Sequence, residues 1–161
     1  MLIESTRFGT FEVRDDTLLT FPDGLIGLPG TRYVLVAREE QLPFYWLQSV
    51  DEARVALPVV DPWLFFPGYE IRLADDEARR LELTSADEAQ ILCVVRAADE
   101  LADVTANLVA PVVVNRAVRL GRQIITDAHG YSVRHRLFSE VELAEATAAG
   151  ASRALLEATA V

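Results

Sequence analysis

Most of the first 136 positions read as short apolar runs broken by turn residues. "FGTFEVR", "TLLTF", "RYVLVA", "YWLQSV", "RVALPVV", "YEIRL", "QILCVVRA", "APVVVN" and "RLGRQIIT" are rich in Val, Ile, Leu and aromatics, and most are five to eight residues long. That is the pattern of β-strands. Between them stand "PDGLIGLPG", "DPWLFFPG" and "DAHG", whose Pro, Gly and Asp favour turns. Many short strands with few helices predict a mainly β domain, either a sandwich or a small closed barrel.

Two stretches break the pattern. "ADDEARRLEL" (74–83) predicts a short acidic helix after "YEIRL". The tail "SEVELAEATAAGASRALLEATAV" (139–161) is rich in Ala and Glu and opens with Ser139 and Glu142 at capping-box spacing, so it predicts a helix that Gly150 weakens midway. No repeat or linker marks a second globular unit.

The densest apolar segment is "DPWLFFPGYEIRL" (61–73), which holds Trp63, Phe65, Phe66 and Tyr69 out of 13 aromatic residues in the chain. Alternation on a strand turns Tyr69, Ile71 and Leu73 to one side and Glu70 and Arg72 to the other. Leaving four aromatics in water would forfeit roughly 6–12 kcal/mol, comparable with the ~5–15 kcal/mol net stability of a domain. Most must therefore be buried, Tyr69 and Trp63 among them. Phe65 and Phe66 fit either core packing or an apolar partner contact at the loop edge.

Composition narrows the setting. A chain of 161 residues, half of it apolar, is long enough to bury a core without metals or disulfides. No apolar run reaches the roughly 18 residues of a membrane span, and "MLIESTRFGTFEV" lacks the form of a secretion signal. The lone cysteine, Cys93, lies inside "QILCVVRA", so a buried thiol in a reducing cytoplasm is expected.

Charge excludes one class. A formal net charge of −10 argues against a general nucleic-acid binder. The charge is uneven: 51–110 holds 13 acids against five Arg, while 111–136 holds five Arg against one Asp. All the cations are Arg. Glu70, Asp75, Asp76 and Glu77 then form either a solvated acidic surface or a face that steers a basic partner.

Catalytic chemistry is sparse. His129 and His135, with Asp127, match no common zinc spacing, and no histidine neighbours Cys93 in the sequence to activate it. Gly24, Gly27 and Gly30 in "GLIGLPG" fit neither a dinucleotide fingerprint nor a P-loop, so they read as turn glycines. Neither an enzyme nor a cofactor is expected.

Three segments in order, "FPDGLIGLPGTRYVLV", "PFYWLQSVDEARVALPVVDPWLFFPGYEIRL" and "VTANLVAPVVVNRAVRLGRQIITDAHGYSVRH", resemble the FliW family of bacterial flagellar assembly factors over about residues 1–137. The most specific is the run from Thr105 to Asn115. The resemblance implies a β-barrel-like domain (1–138) followed by a helical extension (139–161) to which it does not apply. It also implies cytoplasmic partners: flagellin, and CsrA, a dimeric RNA-binding repressor of flagellin translation. Proteins of this family antagonise CsrA allosterically, at a site apart from its RNA-binding surface. No direct contact with nucleic acid or membrane is implied. Asn107 and Asn115 match family positions and read as structural. On this resemblance Phe65, Phe66, Glu70, Asp75, Asp76 and Glu77 become the candidate partner-binding residues. The alternative is a small β-barrel enzyme or small-ligand binder on a similar scaffold.

Overall fold

The computed structural model describes residues 1–127 and 129–148. Eleven strands appear in chain order: β1 (Leu2–Ser5), β2 (Gly9–Glu12), β3 (Leu19–Thr20), β4 (Arg32–Ala37), β5 (Tyr45–Ser49), β6 (Ala56–Val60), β7 (Ala89–Arg96), β8 (Thr105–Ala106), β9 (Val112–Asn115), β10 (Leu120–Gln123) and β11 (His135–Arg136). Among the described residues there are two α-helices, α1 (Asp75–Arg80) between β6 and β7 and α2 (Glu140–Ala148) after β11, besides short 3₁₀ turns. Seven strands close a barrel in the order β7-β6-β5-β4-β3-β10-β9, with β9 returning to β7 through Ala89↔Asn115 to Leu92↔Val112. Closure removes the open edges that an equally short sandwich would leave.

The long β7 makes this topology possible. Its first half pairs with β9, and its end pairs with β8 at Val95↔Ala106, onto which β11 adds. The weakest seam is between β3 and β10, a parallel contact with one register pair, Leu120↔Thr20. There Gly121 lies flat against the buried Phe21 ring, where a Cβ would stand 2.4 Å from a ring carbon.

Phe21, Tyr33, Leu47, Val59, Leu92, Val112 and Val114 form one buried cluster of the barrel. Alternate residues point to other clusters. Trp46 and Val34 lie under Phe8 and Phe11 of the β1–β2 hairpin, and Val113 and Ile91 pack with Leu81. Strands covered on both sides have no polar face, which is why "PVVVN" and "ILCVV" run almost uninterrupted. The turn reading of "GLIGLPG" holds: Gly24, Gly27 and Gly30 all take positive φ around a Leu25↔Leu28 bridge.

Several expectations need correction. "YEIRL" joins no ladder among the described residues; Ile71 and Leu73 instead pack with the cluster of Leu81, Ile91 and Val113. Its alternation survives in burial alone: Tyr69 is buried, Ile71 and Leu73 partly so, and Glu70 and Arg72 are exposed. β1, β8 and β11 were not legible, since two-residue bridges carry no period and "LIES" is too short. β10 stops at Gln123, although Ile124 and Thr126 still donate to the carbonyls of Pro111 and Val109. α1 ends at Arg80, shorter than predicted, with Glu82 at φ 55°. In the tail, the N–H of Glu142 donates to Ser139 Oγ at 3.1 Å as the capping pattern predicts. Gly150 and the rest of the tail lie outside the described residues.

Candidate partner-binding surface

Asp61 and Pro62 set the geometry of the aromatic stretch. The Asp61 carboxylate accepts from the Trp63 N–H at 2.9 Å and Pro62 occupies the first position, so Pro62–Leu64 turn as a 3₁₀ helix. A strand period of two does not apply to such a turn. Pro62 goes inward, whereas Trp63 (40% exposed) and Leu64 (62%) face water. Trp63 was expected inside and is not; its indole N–H instead donates to the Tyr69 carbonyl at 2.6 Å, fixing the ring over the bend. Phe65 and Phe66 are half-buried. Phe65 packs on Phe44 and Phe138, and Phe66 on Tyr131 and His135.

Tyr69 anchors the segment. It is buried, and its hydroxyl donates to the Leu108 carbonyl at 2.7 Å. Beside it lies Cys93, also fully buried, whose thiol is pushed up to about 12, chiefly by burial. Such a thiol is inert as a nucleophile. The Tyr69 phenol is likewise raised by burial.

Beyond Tyr69 the chain covers the outer face of β7 and β9 incompletely. A cleft of about 800 Å³ remains, walled by Trp63, Ile71 and Leu73 on one side and Leu83 on the other, over Ile91 and Val113. α1 lies next along the chain. Its first turn carries Asp75, Asp76 and Glu77, favourable at the positive end of a helix dipole. Its other end is held by the buried Asn115, whose amide donates to the carbonyls of Leu81 (2.9 Å) and Glu82 (3.2 Å) while its oxygen accepts from Ala117 N–H. Asn107 caps the backbone of Val109 and Ala110 through its oxygen. Both asparagines are structural.

The predicted site residues separate into three groups. Glu70, Asp75 and Asp76 are exposed and make no ion pair among the described residues. Glu77 is different: its carboxylate accepts from Arg122 Nε at 2.6 Å, and Arg122 also pairs with Asp23. The Glu77 hydrogen bond raises the Arg122 guanidinium, and α1 is thereby tied to β10. Phe65 and Phe66 belong to the ring cluster that includes Tyr131 and Phe138, apart from the cleft. The exposed apolar pair of the stretch is Trp63 and Leu64, which alternation missed. The signal was available in Asp-Pro, which starts a turn and resets the period.

Nothing here assembles reactive groups. The cleft is lined by one carboxylate, Glu70, and one guanidinium, Arg72. Among the described residues no three His, Cys, Asp or Glu side chains converge as a metal site would require. His129 is exposed beside Asp127, and His135 packs edge-on against Phe66.

Comparison with known proteins agrees with this geometry. The family model described as FliW protein matches residues 2–137. A flagellar assembly factor FliW from Desulfitobacterium hafniense (strain Y51) is 42% identical over 151 residues, covering 93% of this chain and 99% of the relative. One from Geotalea uraniireducens is 37% identical, covering 88% and 87%. A crystal structure of the flagellar assembly factor FliW superposes with a TM-score of 0.81 at 34% identity, over 87% of this chain and 99% of that one. On sequence and fold together, this chain belongs to the FliW family.

Proposed function

We propose that this chain is a cytoplasmic flagellar assembly factor that acts by binding proteins rather than by catalysis. Its partners on this reading are flagellin and the RNA-binding regulator CsrA. Flagellin occupies the protein when it accumulates, which leaves CsrA free to repress flagellin translation. When flagellin is secreted, the protein binds CsrA and relieves repression. The effect on CsrA is allosteric, exerted apart from its RNA-binding surface.

The observation that carries this reading is the acidic group Glu70, Asp75 and Asp76, without an ion pair among the described residues, beside an apolar cleft rimmed by the exposed Trp63. Apolar surface beside charge that can steer and orient a partner fits a protein-binding face. Negative charge brought against an RNA-binding protein also lowers its affinity for phosphate. Phe65, Phe66 and Glu77 stand as secondary members, since each is already engaged within the molecule.

Titration of CsrA onto the Asp75→Lys/Asp76→Lys variant tests the reading. Both side chains are exposed, so the melting temperature should stay within a few degrees of the parent, while affinity for CsrA falls about tenfold or more and the parent's binding weakens with salt. Unchanged affinity in a folded variant would remove the acidic face from the account. Glu77 is left intact because reversing it breaks the Arg122 tie and confounds stability with binding.

A further inference from the structure

We propose that a second cleft, at a mouth of the barrel, docks a protein segment that carries carboxylates next to aliphatic side chains. This rests on the reading of the chain as a protein-binding factor, but involves residues other than Asp75 and Asp76. The cleft holds about 410 Å³. Its floor is Leu28, Leu57 and Val94, each of which also packs against the barrel cluster that contains Phe21 and Leu47. The floor is therefore an uncovered end of the core.

Two aliphatic side chains stand in water at its edge, Ile26 (60% exposed) and Val133 (56%). Ile26 is not held out by a loose loop. It sits at the tip of the Leu25↔Leu28 turn, and its N–H donates to Gln123 Oε1 at 2.9 Å. Gln123 is itself fixed by donating to the Ala110 carbonyl at 3.0 Å. The turn thus presents an isoleucine in a set position, as an anchor for an apolar contact requires.

The charge around the cleft names the partner. It is lined by Arg96 and Arg134 and by no Asp or Glu, in a chain with 25 acids and 15 Arg. Neither guanidinium makes an ion pair among the described residues, whereas the neighbouring Arg136 faces Asp103. Asn107 adds a further donor, because its oxygen is committed to Val109 and Ala110 and its amide N–H groups to nothing among the described residues. Two free forks and an amide select carboxylates, which Arg binds through paired hydrogen bonds. The aliphatic floor selects side chains such as Leu or Val beside them. Nucleic acid satisfies the cations but offers little to Ile26 and Val133.

A random 12-residue peptide library displayed on phage, selected against the full-length protein, tests this. Selected peptides are resynthesised with a fluorescent label and titrated by anisotropy. The expected consensus sets Asp or Glu next to Leu, Ile or Val. Affinity should fall at least about tenfold for Arg96→Gln/Arg134→Gln and for Ile26→Asp/Val133→Asp, and hold for Asp75→Lys/Asp76→Lys. All four substituted cleft side chains are exposed, so unchanged melting curves accompany the expected result. Selection of only basic or neutral peptides, or of peptides indifferent to both cleft variants, overturns the proposal. So does loss of a labelled single-stranded RNA, rather than of the peptide, on removing the two Arg. These outcomes are independent of whether CsrA binds the acidic face, so either reading can fail while the other stands.

Discussion

Cys93 shows how much one buried side chain decides. Its thiol is fully buried and raised from 9.0 to about 12, mainly by burial, with Tyr69 next to it. An acid that holds its proton more tightly when folded stabilises the fold below its unfolded pKa and loses that contribution as pH rises toward the folded value. Between about pH 9 and 12 stability should therefore fall by on the order of 1 kcal/mol per pH unit from this group, with Tyr69 adding to the decline at its upper end. Chemical denaturation across that range checks it: Cys93→Ala should flatten the limb, and a limb as steep as the parent's would refute the assignment. The burial of Cys93 was legible from its apolar neighbours, as were the structural roles of Asn107 and Asn115. Trp63 was not, because its exposure depends on the Asp61 cap and on the indole bond to Tyr69, a contact between residues with no shared pattern.

At the scale of elements, the sequence marks strands whose two faces differ and loses those defined only by a neighbour. β4 to β7 and β9 coincide with apolar runs, whereas β8 and β11 are two-residue bridges that exist because β7 overhangs β9. "YEIRL" is the converse, with strand composition and no partner. The β3–β10 seam depends on a glycine. Gly121→Ala drives a methyl into the Phe21 ring and should cost about 1–3 kcal/mol, read as a lower denaturation midpoint; a midpoint unchanged within error would mean the seam is looser than described. Phe66 separates packing from binding in the aromatic turn. Half-buried against Tyr131 and His135, it should cost about 1–2 kcal/mol when changed to Ala, with binding of CsrA affected less than stability. A normal melt with lost binding would move Phe66 to the interface.

The whole molecule is a closed barrel with little of its own edge to offer, so its work falls to what is laid over the outside. One face carries α1, the Trp63 cleft and acids without an ion pair among the described residues; a barrel mouth carries two Arg, likewise without an ion pair among those residues, over aliphatic side chains. The charge asymmetry between 51–110 and 111–136 was legible as a count, but it does not divide the surface the same way: Arg96 of the acidic stretch joins Arg134 at the second cleft, and Arg122 of the basic stretch pairs with Glu77 on α1. The extension beginning at Ser139 starts against the body of the protein, where Leu143 packs on the cluster containing Leu137 and Phe138. We regard it as an addition to the barrel rather than a second unit. We propose that this protein couples flagellin level to translation through CsrA. This coupling is tested most directly by following labelled flagellin leader RNA bound to CsrA as this protein, and then flagellin, is titrated in. RNA should be released as the protein is added and bound again as flagellin accumulates. RNA binding that the protein leaves unchanged, or a release that flagellin does not reverse, would contradict it.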